Sequence, residues 1–313
     1  MLPSPRRSPS TRQPASSVRS AVSTARSTAF SLALGAAVAF APASAFAAPH
    51  DFAIYTLRLG GEPETAQPYI DRMAAHLEQK TGWAKGSMHG TFLTSRKTVQ
   101  EFIDSKNPGF GFVEPWLYFE LRKSHKLTLL VQVASKDLNA NRFHVVVKDP
   151  AVKTLADLKG KRLWTHLAES PRYLSNIVLD GKQAAESHFQ LKQTGNALKA
   201  ARAVLRGEAD ACLLDDEQWE MAKKLDGGAG LHVVYESAPQ PVVSVVAFGG
   251  GMPPAEQSTL TRALLTLCSD AGATICKEMH LDKMLPPDTK LYDAAARRFD
   301  GAPAPAAGAG KAH

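Results

Sequence analysis

From Asp51 onward, short apolar runs alternate with stretches whose apolar residues recur every three or four positions, and polar, Gly- or Pro-bearing segments separate them. Short apolar runs predict strands and the longer spacing predicts amphipathic helices, so their alternation predicts an α/β protein with largely parallel sheets. FAIYTLRL (52–59) reads as the first strand. Pro68 opens a helix whose Ile70, Met73 and Leu77 share one face and which ends at Gly82. SMHGTFL (87–93) reads as a second strand, Thr94 or Ser95 caps a helix running to about Ile103, and GFGFV (109–113) and LTLLVQVA (127–134) supply two more strands.

A second series begins at RFHVVVKD (142–149). Thr154 and Asp157 have capping-box spacing over one helical turn closed by Gly160, and KRLWT (161–165) follows as a strand. Pro171 stands where the first residue of a helix would, with Leu174, Ile177 and Val178 as its apolar face. Asn196 caps a helix bearing Leu198, Ala201 and Leu205, and Gly207 stops it. GEADACLLDD (207–216) is then a strand that ends abruptly in Asp215, Asp216 and Glu217. LHVVYE (231–236) and VVSVVAF (242–248) come next, and one long helix is predicted from about Pro254 to Leu281. There is no internal repeat.

Charge changes the picture only at the N-terminus. The 313 residues are 44% hydrophobic and 21% charged, enough apolar residue for a large core, and the formal charge is +7. Five of the 37 basic residues, Arg6, Arg7, Arg12, Arg19 and Arg26, precede Ala48 with no acid among them, and the remainder carries 32 basic against 30 acidic groups. The basicity therefore argues for a leader rather than for a nucleic-acid surface. An Arg- and Ser-rich front, an apolar stretch from about Ala29 to Ala41 and small residues at Ala45 and Ala47 form the layout of a secretory signal peptide over 1–47. An organellar transit peptide shares parts of that layout. The apolar stretch is too short to span a bilayer, so no stable membrane insertion is expected. Cys212, Cys268 and Cys276 all follow it. On one helix, 268 and 276 would stand about 12 Å apart, so no disulfide scaffold is expected. Residues 301–313 read as a loose tail of Ala, Gly and Pro.

In α/β sheets, ligands sit beyond the carboxyl ends of the strands. The residues at those ends are Glu62, then Glu114, Pro115 and Trp116, then the window His166 to Tyr173, then Asp215 to Glu217. One acid at such a place reads as a solvated residue or a helix cap; four strand ends repeating acids and aromatics make a pocket the stronger reading. ESPRYLSN (169–176) resembles a helix start, where Ser170 and Arg172 could hold an anion or Ser170 could merely cap its own helix. No G-x-S-x-G, Walker loop, H-E-x-x-H or G-x-G-x-x-G is present. CKEMH places Cys276 and His280 one turn apart, but two ligands are too few for a metal site, and GGG (249–251) lacks the Lys and Ser/Thr of a phosphate loop. No catalytic residue, metal or cofactor is expected.

TLADLKGKRLW (154–164), AVLRGEADACLLD (203–215) and VVYESAPQPVVSVVAF (234–248), in that order, with GFVEPWLY (111–118) before them, resemble the periplasmic substrate-binding proteins of phosphonate-type ABC transporters. The resemblance covers about Asp51 to Arg298. It implies the two-lobed type II periplasmic-binding-protein fold, each lobe a mixed, mostly parallel α/β sheet flanked by helices, joined by two crossover strands. The lobes would be 51–135 plus 238–300 and 140–236. It also implies an exported, monomeric protein that traps a small polar ligand, anionic or zwitterionic, and delivers it to an ABC permease from the periplasm. The expected ligand-binding residues are Glu62, Glu114, Trp116, Ser170, Arg172, Tyr173 and Asp215. AESPRYLS lacks the Ser/Thr-rich turn of phosphonate binders, and Glu169 beside Ser170 would repel a dianion unless Arg172 compensates, which opens the site to a zwitterionic or amine-bearing ligand or to a weaker anion. An enzyme on the same architecture and a ligand-sensing partner of a signalling receptor are the rival readings.

Overall fold

The computed structural model describes residues 50–55, 63–134, 140–279 and 281–301. In the first half of the chain, strands β1 (His50–Tyr55), β2 (Met88–Phe92), β3 (Phe110–Val113) and β4 (Thr128–Ala134) are separated by helices α1 (Pro63–Thr81), α2 (Arg96–Lys106) and α3 (Pro115–Leu121). The second series runs β5 (Phe143–Val147), β6 (Arg162–Thr165), α4 (Pro171–Tyr173), α5 (Ala185–His188), β7 (Gln190–Gln193), α6 (Ala197–Leu205), β8 (Ala211–Asp215), α7 (Asp216–Ala222) and β9 (His232–Glu236). The chain finishes with β10 (Ser244–Ala247), α8 (Pro254–Leu265), α9 (Ala273–Glu278), β11 (Lys283–Leu285) and α10 (Thr289–Phe299).

Two sheets result, ordered β11-β4-β10-β3-β1-β2 and β7-β6-β8-β5-β9. Each has its own flanking helices, so the protein is built as two α/β lobes. Parallel pairing is confined to β2-β1-β3 and to β7-β6-β8; β4, β10 and β11, like β5 and β9, pair antiparallel. The expected mostly parallel character therefore holds for one half of each sheet. The reason is topological: β5 and β9, and β4 and β10, carry the chain from one sheet to the other and back, and the returning strand runs against its neighbours. Between the sheets, the two passages are tied by a bridge in which Asn141 N donates to Gln240 O (2.9 Å) and Gln240 N to Asn141 O (2.7 Å).

Local chemistry explains most of the elements. Ile70, Met73 and Leu77 of α1 are fully buried and pack with Phe52 and Phe110 of the first sheet. That helix starts at Pro63 and carries Pro68 inside it, five residues earlier than its sequence predicts. Ser95 caps α2 in a capping box with Thr98. Asn196 accepts the Lys199 N–H to cap α6, and Gly207 at φ +76° ends that turn, a backbone setting that favours glycine. Asp157 gathers the N–H groups of Lys153 and Thr154 and the Thr154 hydroxyl over a single 3₁₀ turn.

The predicted long helix from Pro254 to Leu281 is corrected. α8 stops at Leu265, the chain reverses through Leu267, Ser269 and Gly272, and α9 begins at Ala273. Gly272 makes the reversal possible, because a Cβ there would lie 1.7 Å from the carbonyl oxygen of Leu267. The reversal brings Cys268 and Cys276 to a Cα–Cα distance of 5.3 Å and into a disulfide, which overturns the 12 Å separation expected on one helix. Cys212 is free and buried in the second sheet. Among the described residues no helix is long and apolar enough to cross a membrane. The leader expected over 1–47, residues 135–139, His280 and the residues beyond Gly301 lie outside the described residues.

Candidate functional site

β3 ends at Val113, paired with Tyr55 on one side and Ser244 on the other, and the next residue, Glu114, starts α3 with Pro115 in its first position. In the second sheet, β8 ends at Asp215 opposite Phe143. The two carboxylates, one from each sheet, line a single cavity of about 40 Å³ together with Asn141, His166, Gln218 and Pro241. Glu114 and Asp215 are thus brought together at one cavity. No Lys or Arg is among the described residues that line the cavity.

The carboxylates after β8 are heavily used by the fold. Asp215 accepts the Gln218 N–H (2.8 Å) while the Gln218 side chain accepts the Asp215 N–H (3.0 Å), a reciprocal cap for α7. Asp216 accepts from His144 Nε2 (2.8 Å) and from the Arg142 N–H (2.9 Å). Glu217 lies in the first turn of α7, where the helix dipole favours an acid. The abrupt acidic end of GEADACLLDD is therefore first a helix start, and only Asp215 of the three lines the cavity.

Ser170 and Arg172 stand elsewhere than expected. The helix after Ser170 is α-helical for only Pro171–Tyr173 before it widens into a π-turn at Leu174–Val178, and the Ser170 side chain makes no cap. Its hydroxyl instead donates to Glu120 Oε1 (2.7 Å) across the lobe boundary. Arg96 completes the contact: one guanidinium nitrogen stands 2.8 Å from Glu120 Oε2 and another donates to the Glu169 carbonyl at 2.7 Å. Arg172 donates to the Phe299 carbonyl (3.0 Å) with its guanidinium 4.5 Å above the Phe299 ring, so it clasps the end of α10. Neither residue forms an anion-binding helix start.

Tyr173 and Trp116 are core residues behind the cavity. Tyr173 is buried and stacked on Phe119 at 6.0 Å, and its hydroxyl has no hydrogen-bond partner among the described residues. Burial, and then the nearby Glu114 charge, push its ionisation far up. Trp116 is buried with its ring edge-on to Tyr55 at 5.6 Å, and it is absent from the cavity lining. Tyr55 itself is pushed up to about 12, by burial first and then by Glu114 and Glu169, with Arg96 opposing. Glu62 lies outside the described residues.

The residues that sequence reasoning missed are Glu120 and Arg96. Pro115 after a strand was the signal for α3, and a helix from Pro115 turns Glu120 toward the second lobe, where Ser170 waits. Burial pushes the Glu120 carboxyl up from its usual 4.5, outweighing the Ser170 hydrogen bond and the Arg96 and Arg172 charges. The folded protein then holds that proton to higher pH than the unfolded chain. The stability from this site is complete below the usual glutamate value and is lost as pH rises through the raised one. Glu120→Gln lacks this titration, so its melting temperature relative to the wild type is expected to rise as pH climbs above the usual glutamate value; a difference between the two that does not change with pH would refute the assignment. Glu120→Ala strands the buried Ser170 hydroxyl and should cost about 1–3 kcal/mol in denaturant titration.

A protein-family model described as ABC transporter, phosphonate, periplasmic substrate-binding protein matches residues 61–292. No curated protein sequence matches the chain. Among solved structures, XAC2383 from Xanthomonas citri bound to ATP is similar at 14% identity and a TM-score of 0.64, over 80% of this chain and 97% of that one. PhnD1 from Prochlorococcus marinus in complex with methylphosphonate follows at 13% identity and 0.58, over 80% and 98%. A binding protein component of an ABC phosphonate transporter from Pseudomonas aeruginosa gives 12% and 0.57, over 80% and 87%. At these identities the likeness is one of fold.

Proposed function

Because the chain belongs to the family of periplasmic substrate-binding proteins of phosphonate ABC transporters, we propose that it captures a small ligand bearing a cationic group, alongside the anionic or polar group that the family implies, and delivers it to an ABC permease. The observation that carries this reading is the convergence of Glu114 and Asp215, one from each lobe, on a cavity with no Lys or Arg in its described lining. An ammonium between two carboxylates gains charge-assisted hydrogen bonds that neither lobe offers alone, so the ligand favours the shut arrangement.

The cavity of about 40 Å³ holds little more than one water, whereas small-molecule sites span about 300–1,000 Å³. The lobes, which we place at 51–135 plus 238–300 and at 140–236, therefore part to admit a ligand. The Asn141–Gln240 bridge between the two passages is the natural pivot. Family membership implies a periplasmic location, and the Cys268–Cys276 disulfide suits an oxidising compartment reached through a cleaved leader over 1–47. Transport rather than catalysis is the role, with the protein acting as a monomer.

Native mass spectrometry of freshly purified protein identifies a retained ligand. In a thermal-shift series, an aminoalkylphosphonate is expected to stabilise the wild type more than the alkylphosphonate of equal length. Asp215→Asn and Glu114→Gln should each weaken the amine-bearing ligand by about 10-fold or more, the worth of one charge-assisted bond. Equal responses to the two phosphonates, or variants that respond as the wild type does, would sink the assignment.

A further inference from the structure

The cavity between the lobes is not the roomiest in the protein. At the outer pole of the second lobe, where β5 ends and β6 and β8 begin, a bowl of about 300 Å³ opens to solvent. One wall is the turn Lys148–Val152, a second is the turn leading through Leu158 to Lys161, and the third is the end of α6 with Gly207. Pro150 and Val152 are the apolar residues of its lining that reach solvent, and Leu158, Val204 and Ala209 lie buried beneath. Gly207 lies in this lining, and a Cβ placed on it would meet nothing within 4 Å. The volume reaches the lower end of the range for small-molecule sites.

Of the four charged side chains in the lining, three have hydrogen-bond partners. Lys148 donates to the Leu205 carbonyl (2.7 Å), and Asp149 accepts the Ala151 N–H (2.9 Å). Asp210 is gripped by Arg162 through its backbone N–H (2.8 Å) and, side-on, through Nε and one terminal nitrogen of the guanidinium (3.0 and 3.1 Å). Among the described residues the Lys161 ammonium has no hydrogen-bond or ion-pair partner, and Asp210, the acid nearest in charge, is already committed. An apolar lining with one uncommitted cation at its edge matches a small apolar body carrying one negative group.

We propose that this bowl is a second ligand site, for a small amphiphilic anion such as an aromatic or short-chain aliphatic carboxylate, with Lys161 meeting the anionic group and Pro150 and Val152 taking the apolar body. It is separate from the interlobe cavity. Asp210 and Asp215 lie at opposite ends of β8, roughly 17 Å apart along the strand. The site does not depend on the cargo of the interlobe cavity and would let lobe 2 respond to a metabolite that is not transported.

The probe is phenylacetate, with phenethylamine as the cationic control of similar shape, followed by amide chemical shifts of the whole protein. Phenylacetate is expected to give saturable shifts confined to 148–152, 158–161 and 204–210, with a Kd of about 1 mM as befits a ten-atom ligand. Phenethylamine should give none. Lys161→Glu should weaken phenylacetate by about 10-fold or more. Gly207→Asn, which tolerates the positive φ and adds a side chain at the bowl's lining, should weaken it while the fold is retained. Shifts centred on Glu114 and Asp215, equal binding of the amine, undiminished binding by Lys161→Glu, or no saturable shift up to roughly 20 mM would each overturn the proposal.

Discussion

Phe119→Ala is expected to lower the free energy of unfolding by about 3–5 kcal/mol, the cost of a large buried ring and the cavity it leaves. Phe119 is 1% exposed and sits at the centre of a seam of rings contributed by three elements. Tyr173 of the second lobe stacks at 6.0 Å, Phe299 of α10 at 5.8 Å, and Tyr292 lies at 6.3 Å. The seam is also closed from outside by Arg122, whose guanidinium stands 5.5 Å from the rings of both Phe119 and Phe299 and pairs with Asp300 at 2.7 Å. No single neighbour can collapse into the gap without abandoning the others, which puts the cost toward the upper part of the range. A chain of this size should lose roughly 6–20 °C in melting temperature. Phe119→Leu, which keeps most of the volume, should cost less than about 1.5 kcal/mol. Hydrogen exchange adds a spatial check: loosened protection should appear first at α10 and the π-turn of Leu174–Val178, which meet across the seam. A drop under 1 kcal/mol, or loosening confined to α3, would show that the seam does not hold the lobes.

Removing the disulfide comes second. The Cys268–Cys276 bond spans 8 residues, and closing a loop of that length in the unfolded chain is worth about 2.5 kcal/mol. The Cys268→Ser/Cys276→Ser double variant is expected to melt roughly 5–10 °C below the wild type, and a reductant should move the wild type to the same place. Thiol titration supplies the control. Under denaturing, non-reducing conditions only Cys212 should react, and after reduction all three cysteines should. Two or more reactive thiols before reduction, or a melting point indifferent to reductant, would refute the bond. Gly272→Ala tests the same reversal without touching sulfur, since its methyl would collide with the Leu267 carbonyl. It should destabilise the turn even in the reduced protein.

The candidate site was half legible in the chain. Glu114 and Asp215 could be found because strand ends are marked by where an apolar run meets a charge, and α/β topology sends those ends to a common crevice. Asp215 was harder to interpret, since the same carboxylate that lines the cavity also caps α7, and both uses place an acid immediately after a strand. Ser170, Arg172 and Tyr173 were picked out as a group, and the structure engages each of them with side chains or carbonyls outside the cavity lining. Their neighbours, Glu120 and Phe299, come from 50 and 127 residues away, and no local pattern announces such partners. Trp116 has the same history: an aromatic beside a strand-end acid suits a pocket, but the helix opened by Pro115 carries it back against Tyr55.

By itself, the sequence determined what local physics controls: strands where apolar runs are short, the caps at Ser95 and Asn196, the turn at Gly207, and two α/β series in order. Each depends on interactions within a few residues, which read the same in any context. Tertiary structure alone decided the antiparallel halves of the sheets, the reversal at Gly272 with its disulfide, and the clasp of Arg96, Glu120 and Ser170. These need groups distant along the chain to arrive at one place, and their energies depend on burial that exists only after the lobes have formed around them.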